Sequence, residues 1–258
     1  MDFIKYYSEN SVAFITLNRP EVLNSFNRQM ALELQDVLDQ CSNDKNIRCL
    51  HITGEGRAFC AGQDLAEAIS KEGPELQKIV KEHYNPIIEK IRNIEKPVVC
   101  AVNGVAAGAG ANIALGCDIV VAAESSSFVQ AFSKIGLIPD SGGTFFLPRL
   151  IGLQRASALM MLGDKVKATE ALVFGMIYKV FPDNELQTEA RSLAVKLAGM
   201  PTKGLGLTKR ALNRSLTNNL KEQLKLEEEL QTEAGKSFDY NEGVRAFLEK
   251  RQPLFKGE

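Results

Sequence analysis

Three glycine-containing turns hold the residues whose types and spacing could perform chemistry. The turn at residues 104–110 (GVAAGAG) follows a predicted strand and opens a predicted helix, so its backbone N–H groups could bind an anionic oxygen. The turn at residues 59–65 (FCAGQDL) also precedes a helix, and an oxyanion hole needs such a second donor from a separate segment. The alternative for the first turn is close packing of a helix against a sheet, and the second turn taken alone is ordinary.

The third turn, residues 136–144 (GLIPDSGGT), contains an acidic residue among apolar neighbours. Asp140 precedes a Gly-Gly pair at the start of a predicted helix. One interpretation is that its side chain caps this helix. The other is that partial burial raises the pKa of Asp140, which would make its carboxyl group a proton carrier. The turn alone leaves both interpretations open.

Other reaction classes lack their sequence patterns. The chain of 258 residues has two histidines, His51 and His83, and neither is flanked by a nucleophile motif. Neither a P-loop pattern nor the GxGxxG order is found, which argues against nucleotide binding. The five cysteines are odd in number and have no CxxC spacing, so neither a metal site nor disulfides are expected. Cys60, beside the second turn, is predicted to be a buried packing residue.

Charge and hydropathy restrict the partners. Lys plus Arg is 31 and Asp plus Glu is 32, a net charge of −1, which argues against nucleic-acid binding as the main function. The basic stretch 203–214 is interpreted as a solvated helix face, with RNA binding as the alternative. Polar residues interrupt the apolar stretch 98–123, so it predicts a buried core rather than a membrane span. We therefore expect a protein of the reducing cytoplasm with no membrane or nucleic-acid partner and no signal peptide.

The hydrophobic pattern predicts an α/β fold. Strands and helices alternate through about the first 135 residues, as in βα units around a sheet, and the pattern after about residue 140 is helical. The predicted strands are residues 4–7, 12–17, 49–53, 98–102, 119–122 and 128–132, and the predicted helices are residues 25–41, 76–94, the end of 104–116, 150–162, 168–174, 185–198, 220–234 and 241–251.

Five segments in a fixed order extend over essentially the whole chain and carry a family resemblance. They are LNRPEVLNSF, AFCAGQDL, KPVVCAVNGVAAGAGANIALGCDIVVAA, FSKIGLIPDSGGTFFLPRLIG and EGVRAFLEKRQPLF. Together they resemble the crotonase (enoyl-CoA hydratase/isomerase) superfamily. The segments GLIPDSGG, FCAGQDL, PTKGLGLTKRALN and DYNEGVRAFLEKR are most similar to its ring-1,2-epoxyphenylacetyl-CoA isomerase subgroup, which acts in phenylacetate degradation.

The resemblance implies a fold, an assembly and a substrate class. It implies a ClpP-like spiral of ββα units at residues 1–195 and a helical trimerisation region at residues 196–258. It also implies a homotrimer or hexamer that binds an acyl-CoA thioester. No separate cofactor is expected, because coenzyme A is part of the substrate, and a hydratase of the same pathway is a candidate partner.

The resemblance also assigns site residues. The two oxyanion donors of the family correspond to the backbone N–H groups of Gln63 and Ala109, and the single acidic residue of several isomerases corresponds to Asp140. The positions implied to bind substrate or CoA are Val22, Leu23, Ala61, Asp64, Leu65 and Phe132, together with Phe247 and Lys250, which reach the CoA of a neighbouring subunit.

Two departures from the family pattern predict an isomerase. Hydratases of the family activate water with two glutamates, and Asn112 and Phe132 occupy those positions here. Neither side chain can act as a base at neutral pH. We therefore expect Asp140 alone to move a proton along an enolate, which shifts a double bond or expands a ring epoxide to an oxepin. The alternatives are an enoyl-CoA hydratase, a dehalogenase with Asp140 as nucleophile, and a non-catalytic CoA- or RNA-binding protein.

Overall fold

The strands form two β-sheets in this computed structural model, which describes residues 1–70 and 73–258. The strands are β1 (Ile4–Glu9), β2 (Val12–Leu17), β3 (Cys49–Gly54), β4 (Ala58–Cys60), β5 (Val98–Val102), β6 (Val105–Ala107), β7 (Ile119–Ala123), β8 (Ser127–Val129), β9 (Lys165–Lys167) and β10 (Lys179–Phe181). The first sheet has the order β1-β2-β3-β5-β7-β10, and the second has the order β4-β6-β8-β9. From β3 to β8, each pair contributes one strand to each sheet and is followed by a helical segment, as predicted for a spiral of ββα units.

Helices cover both sheets and form the C-terminal part. They are α1 (Arg28–Asn43), α2 (Leu65–Ala68), α3 (Leu76–Lys78), α4 (Asn85–Asn93), α5 (Ala109–Gly116), α6 (Gly143–Ile151), α7 (Leu153–Leu162), α8 (Ala168–Val173), α9 (Leu186–Ala198), α10 (Thr202–Ser215), α11 (Leu220–Ala234) and α12 (Phe238–Glu249). A π-helical segment, Ile79–Tyr84, joins α3 to α4, so the predicted helix 76–94 is observed with a local change of pitch.

The central strands of the first sheet are buried on both faces. Every residue of β3 and β5 is buried. On one face, Ile52 and Cys100 belong to the main core with side chains of α1 and α4. On the other face, Val99 packs in a cluster with Ala194 and Ala198 of α9. Parallel strands covered by helices on both sides have continuous apolar sequences, which is why both strands were predictable from sequence.

The first two strands, both predicted from the sequence, form a β-hairpin. They pair antiparallel along their whole length, and β2 pairs parallel with β3. The connecting residues Asn10 and Ser11 have positive φ angles of 51° and 59°. A two-residue turn of this kind matches the twist of the strands that it joins.

Two helices begin at capping residues rather than where the apolar pattern begins. The helix predicted from about residue 25 begins at Arg28, because the Asn27 side chain accepts the N–H of Met30 at 2.9 Å. The helix predicted from residue 241 begins at Phe238, after the capping residue Ser237.

Other predictions differ from the structure where short elements depend on tertiary contacts. The strand predicted at 128–132 is wrong in its second half, since β8 ends at Val129 and Phe132 lies in a 3-10 turn, Ala131–Ile135. The helix predicted at 150–162 is interrupted at Gly152, whose φ is 80°, and α6 begins already at residue 143. The three-residue strands β4, β6, β9 and β10 were not predicted, because three residues carry no measurable period.

The C-terminal part consists of α10, α11, α12 and a tail that folds back. The Asp239 carboxylate accepts the N–H groups of Lys256 at 2.6 Å and Gly257 at 2.8 Å, which holds the tail against the start of α12. The predicted division at residue 195 falls within α9, which continues along the first sheet to Ala198. Across residues 1–70 and 73–258, no helix is long and apolar enough to cross a membrane.

Candidate active site

The first two glycine turns meet because their strands are parallel neighbours. β4 pairs with β6, so the segments that follow the two strands leave the same edge of the second sheet. A Cβ atom built on Gly62 would lie 3.0 Å from the carbonyl oxygen of Ala107 and 3.6 Å from the nitrogen of Ala109. Gly62 also has a φ of 95°, so only glycine fits this approach without strain. The predicted pairing of the turns is observed.

Each of these turns contains, at its predicted donor position, a backbone N–H group that has no acceptor within the described chain. They belong to Gln63, which lies between β4 and α2, and Ala109, the first residue of α5. Gly108 donates its own N–H to the carbonyl of Val129 at 2.9 Å, which fixes the start of α5. Two free donors from separate segments, one of them at a helix N-terminus, are what an oxyanion hole needs.

Phe26 fixes the backbone around Gln63. The Phe26 N–H donates to the carbonyl of Gly62 at 2.7 Å, and the Phe26 carbonyl accepts the N–H of Asp64 at 2.9 Å. These two bonds bracket Gln63 in a parallel bridge and leave its N–H unused. Phe26 itself is fully buried, so the segment that holds the donor is part of the core.

Asp140 is partly buried, and burial raises the pKa of its carboxyl group. The Ser141 hydroxyl donates to Asp140 Oδ1 at 2.8 Å and opposes part of this rise by stabilising the carboxylate. The capping residue of α6 is Gly142, and no side chain caps this helix. The helix-cap interpretation of Asp140 is therefore wrong, and the proton-carrier interpretation fits the geometry.

A buried amide, Asn112, lies at one of the two positions where the resemblance implies a glutamate in hydratases. Asn112 is fully buried on α5, and its Nδ2 donates to the main-chain carbonyl of Asp140 at 2.9 Å. Its Oδ1 accepts from Gln130 Nε2 at 2.8 Å. α5 and the turn before α6 are thus joined by a side-chain hydrogen bond at the candidate acid, and Asn112 supplies no carboxylate there.

Phe132 lies against the start of α5. Two of its ring carbons are 3.7 and 3.9 Å from the position that a Cβ atom on Gly108 would occupy. The Phe132 side chain is buried, with 7% of its surface exposed. An apolar ring therefore adjoins the start of α5, at the second position where the resemblance implies a glutamate in hydratases.

Tyr84 is a site residue that the sequence did not reveal. Its hydroxyl donates to Gln63 Oε1 at 2.7 Å, and burial raises the pKa of Tyr84 well above its usual value, so it remains a neutral donor. Gln63 Nε2 lies 3.2 Å from Glu67 Oε2, which holds the other end of the amide. Tyr84 ends the π-helical segment, whose altered pitch a regular helical period does not predict. No sequence pattern around Tyr84 indicates its hydrogen bond to Gln63.

The residues predicted to bind CoA near the N-terminus come together. The N–H of Ala61 donates to the carbonyl of Leu23 at 2.9 Å, which joins the loop before α1 to the loop before α2. Val22 and Leu65 are 37% and 52% exposed, so both leave apolar side-chain surface accessible. Asp64 has a structural explanation of its own, because it pairs with Arg19 at 2.9 Å and caps α2.

Phe247 and Lys250 lie apart from these loops. Phe247 is 84% exposed on α12, and Lys250 is exposed at the end of that helix. Within the described residues of this chain, α12 makes no hydrogen bond to the three turns. Among the described residues, these two therefore lie outside the cluster formed by the three turns, and their contact with a neighbouring subunit stays a prediction.

Neither Cys60 nor His83 is set up as a nucleophile or metal ligand. Cys60 is fully buried, and burial raises the pKa of its thiol to about 12. A Cβ atom on Gly110 would lie 2.6 Å from its Sγ, so Cys60 packs against α5 as predicted. His83 is fully buried beside Arg28, and burial lowers the pKa of its imidazole. The described ranges contain no group of His, Cys, Asp and Glu side chains that could hold a metal ion.

The chain is similar to known proteins over its whole length. The chain is 52% identical over 261 residues to the 1,2-epoxyphenylacetyl-CoA isomerase of Escherichia coli K12, with 100% of each chain covered. It is 44% identical over 254 residues to a Rhodobacter capsulatus protein named "Probable enoyl-CoA hydratase", with 98% of each covered. The crystal structure of an enoyl-CoA hydratase from Bacillus anthracis superposes with a TM-score of 0.92 at 34% identity, covering 99% of this chain and 100% of that one.

The sequence profile of the enoyl-CoA hydratase/isomerase family matches residues 7–258, which is nearly the whole chain. The crotonase fold predicted from the five segments is confirmed by the superposition and by the alternating sheets. On both grounds, this chain is a member of the enoyl-CoA hydratase/isomerase family.

Proposed function

We propose that this protein is an acyl-CoA isomerase that works through a thioester enolate, with Asp140 as its single acid and base. The observation that carries the proposal is the carboxyl group of Asp140, partly buried and with a raised pKa, on a turn bonded to α5 by Asn112. The positions at which hydratases hold water have an amide and a phenyl ring, Asn112 and Phe132. One proton carrier without a water-activating pair favours a reaction that moves a proton within the substrate.

The N–H groups of Gln63 and Ala109 donate to the thioester oxygen in this proposal. Both groups lack acceptors within the described chain, so binding a substrate costs no existing hydrogen bond. Removing one donor from a comparable oxyanion hole costs about 3–4 kcal/mol of transition-state stabilisation. That stabilisation lowers the energy of the enolate. Enolate formation is the difficult step, because the C–H group beside a thioester is only weakly acidic.

On a 3-enoyl-CoA, Asp140 acts first as a base and then as an acid. Its carboxylate removes a proton from C2, and the electron pair of that bond moves onto the thioester oxygen. As the enolate collapses, the carboxylic acid returns the proton to C4, and the C3–C4 double bond becomes a C2–C3 double bond. The reaction consumes no water and needs no external oxidant.

The name of the E. coli relative extends the proposal to 1,2-epoxyphenylacetyl-CoA. Removal of the C2 proton of the acyl chain gives an enolate next to the tetrahedral epoxide carbon of the ring. The carbon–carbon bond shared by the three- and six-membered rings then breaks to form the seven-membered oxepin, and Asp140 returns the proton to the conjugated system. Substrate and product are isomers, so one carboxyl group suffices, and phenylacetate degradation is the proposed context.

Hydration of a 2-enoyl-CoA is the second candidate. Its support is the Rhodobacter capsulatus relative, whose name describes a hydratase. Asn112 and Phe132 argue against it, because water would have to be activated by Asp140 alone. Crotonyl-CoA separates the two functions, since it can take up water but has no 3-enoyl double bond to shift.

The proposed assembly is a homotrimer or a hexamer formed through residues 196–258, with a pathway hydratase as a further proposed partner. Phe247 and Leu248 support a subunit contact through α12, because they are 84% and 75% exposed on one helix. Phe247 and Lys250 would then reach the CoA of the neighbour. A cytoplasmic location is proposed because all five cysteines are free thiols.

A panel of three substrates tests the function: 3-hexenoyl-CoA, the ring-epoxide thioester and crotonyl-CoA. The wild-type protein should isomerise one or both of the first two and hydrate crotonyl-CoA far more slowly. Asp140→Asn should lose about 10²-fold or more of the isomerase activity, whereas Asp164→Asn, an exposed control, should lose none. Crotonyl-CoA hydration as the fastest reaction, or full isomerase activity in Asp140→Asn, would overturn the proposal.

A further inference from the structure

We infer that Asn112 is a positioning residue for Asp140, and that Gln130 holds the Asn112 amide from its other end. The geometry behind the inference is a chain of two hydrogen bonds, from Gln130 Nε2 to Asn112 Oδ1 at 2.8 Å and from Asn112 Nδ2 to the Asp140 carbonyl at 2.9 Å. The inference rests on the proposed function of Asp140, and it assigns a role to a position that the hydratase comparison describes only as a missing glutamate.

The chemistry of the neighbours determines the orientation of the amide. A main-chain carbonyl can only accept, so the atom of Asn112 that faces Asp140 must be the donor Nδ2. The atom that faces Gln130 Nε2 must then be the acceptor Oδ1. A flipped Asn112 amide would place two acceptors together at the Asp140 carbonyl, so this carbonyl selects the orientation, and Gln130 Nε2 supports it by donating to Oδ1.

Close packing prevents the amide from moving away. Asn112 is 0% exposed and Gln130 is 2% exposed. A Cβ atom on Gly143 would lie 2.4 Å from Asn112 Nδ2, so the first residue of α6 packs directly over the amide. In such a site an unmade hydrogen bond is expensive, because no solvent is available to replace it.

The backbone at Asp140 needs such an anchor. Ser141 and Gly142 follow with positive φ angles of 51° and 74°, and Ser141 is not a glycine, so this conformation is strained. The Asp140 carbonyl accepts from Gly143 N at 2.8 Å within the turn, and Asn112 is its second donor. Since a displacement of about 1 Å can cost roughly 100-fold in rate, an anchor at this carbonyl controls how well the carboxyl group reaches the substrate.

Two substitutions separate positioning from stability. Asn112→Asp keeps the shape but turns a carboxylate oxygen toward the Asp140 carbonyl and adds a buried negative charge beside Asp140. Gln130→Leu removes the donor that holds the other end of the amide without touching Asp140. Gln130 Oε1 has no hydrogen-bond partner within the described chain, so loss of that atom should offset part of the cost to stability.

Asn103→Asp is the matched control. The Asn103 Nδ2 donates to the main-chain carbonyls of Gly56 at 2.9 Å and Ala58 at 3.3 Å. Its Oδ1 accepts the N–H of Gly54 at 3.1 Å. The control therefore makes the same chemical change, at an asparagine that also bonds to main-chain groups, away from Asp140.

The Asn112 and Gln130 variants should lower kcat, whereas the control variant should lower only the stability of the fold. Asn112→Asp should lower kcat by about 10- to 100-fold with KM changed by roughly twofold or less, and it should move the acidic limb of the rate profile upward by about one pH unit. Gln130→Leu should lower kcat about threefold or more with little change in melting temperature. Asn103→Asp should lower the melting temperature but leave kcat and the acidic limb unchanged. Wild-type kcat and acidic limb in both folded Asn112 and Gln130 variants would overturn the inference.

A direct titration separates failure of the inference from failure of the proposed function. The carboxyl carbon of Asp140 can be followed by 13C NMR in protein labelled at its aspartate carboxyl groups, with the signal assigned through Asp140→Asn. If the wild-type protein isomerises no thioester, the proposed function fails, but an Asp140 signal that shifts in the charge-neutral Gln130→Leu variant still supports the inference. An Asp140 signal that is unchanged in Gln130→Leu overturns it. If Asn112→Asp does not fold, the test rests on Gln130→Leu alone.

Discussion

The folded protein is less stable when the side chain of Asp140 is ionised than when it is protonated. Burial raises the pKa of Asp140 in the folded protein, so the folded state holds this proton more tightly than the unfolded chain does. Below both pKa values there is no penalty, and as the pH rises from the unfolded pKa through the folded pKa the protein loses stability. The hydrogen bond from the Ser141 hydroxyl to Asp140 Oδ1, at 2.8 Å, offsets part of this loss of stability. A residue that destabilises the fold in this way is typical of a catalytic position.

Asp140→Asn should therefore be more stable than wild type at neutral pH, because it removes a partly buried charge. The gain should shrink as the pH falls and Asp140 becomes protonated. Melting temperatures of both proteins, measured from neutral pH down to a pH at which Asp140 is protonated, test this expectation. Asp164→Asn serves as the exposed control, and a neutral-pH melting temperature below wild type in Asp140→Asn alone would contradict the burial argument.

The same raised pKa predicts the pH dependence of the rate. Asp140 must be ionised to accept the substrate proton, so kcat/KM should rise with pH as its carboxyl group loses its proton. The midpoint should lie above the ordinary range of an aspartate, since burial raises this pKa. Initial rates on 3-hexenoyl-CoA from acidic to neutral pH test this, and a kcat/KM that falls as Asp140 ionises would refute it.

Tyr84→Phe should weaken the oxyanion hole without unfolding the protein. The substitution removes one hydroxyl, which donates to Gln63 Oε1 at 2.7 Å. A hydrogen bond worth about 1 kcal/mol corresponds to a fall of roughly fivefold in kcat. Tyr178→Phe is the control, because Tyr178 is 56% exposed. Equal kcat values in the two variants would show that Tyr84 does not support the donor at Gln63.

At the scale of elements, the close approach of α5 to β4 brings the two N–H donors together. A Cβ atom on Gly110 would lie 2.5 Å from the carbonyl oxygen of Cys60, so this helix position accepts only glycine. Helix propensity alone would favour alanine there. A contact between elements therefore selects the residue type against the local preference, and the small residues of α5 follow from the need to place Ala109 beside Gln63.

Two glycine-to-alanine substitutions with opposite expected effects on stability test this argument. Gly110→Ala should destabilise the protein by about 1–3 kcal/mol through overpacking and should also reduce activity. Gly204→Ala, in α10, should stabilise it by about 0.5–1 kcal/mol, because the new Cβ would meet nothing closer than 4.0 Å. Denaturant unfolding measures both. A stabilising Gly110→Ala would show that α5 and β4 can move apart.

The sequence predicted the elements whose pattern is local and missed those set by contacts. The buried strands β3, β5 and β7 follow from apolar runs, and the turn with Asp140 follows from its glycines. Tyr84 could not be predicted, because the π-helical segment that brings it to Gln63 breaks the period that sequence reading uses. The role of Gln130 was equally invisible, since its partner Asn112 lies on another element.

At the scale of the whole molecule, α12 presents apolar surface that one chain leaves exposed. Phe247, Leu248 and Val244 are 84%, 75% and 44% exposed on this helix. Apolar surface that is concentrated in this way marks an interaction site. The proposed oligomer would cover it and would make each active site depend on two subunits.

Mixed oligomers test that dependence. Asp140→Asn should be inactive, and Phe247→Ala should have a raised KM. If α12 reaches the neighbouring site, subunits of the two variants should complement each other, because some sites then combine an intact Asp140 with an intact Phe247. Unfolding and refolding the two variants together should give a lower KM than Phe247→Ala alone. A KM equal to that of Phe247→Ala would contradict a shared site.

The central claim is that Asp140 removes a proton from the carbon next to an activated thioester, and hydrogen exchange measures this step directly. The protein is incubated in deuterated water with an acyl-CoA substrate, and 1H NMR follows the signal of that carbon. The account predicts that the wild-type protein exchanges this proton and that Asp140→Asn exchanges it at least about 100-fold more slowly. Equal exchange rates in the two proteins would contradict the account.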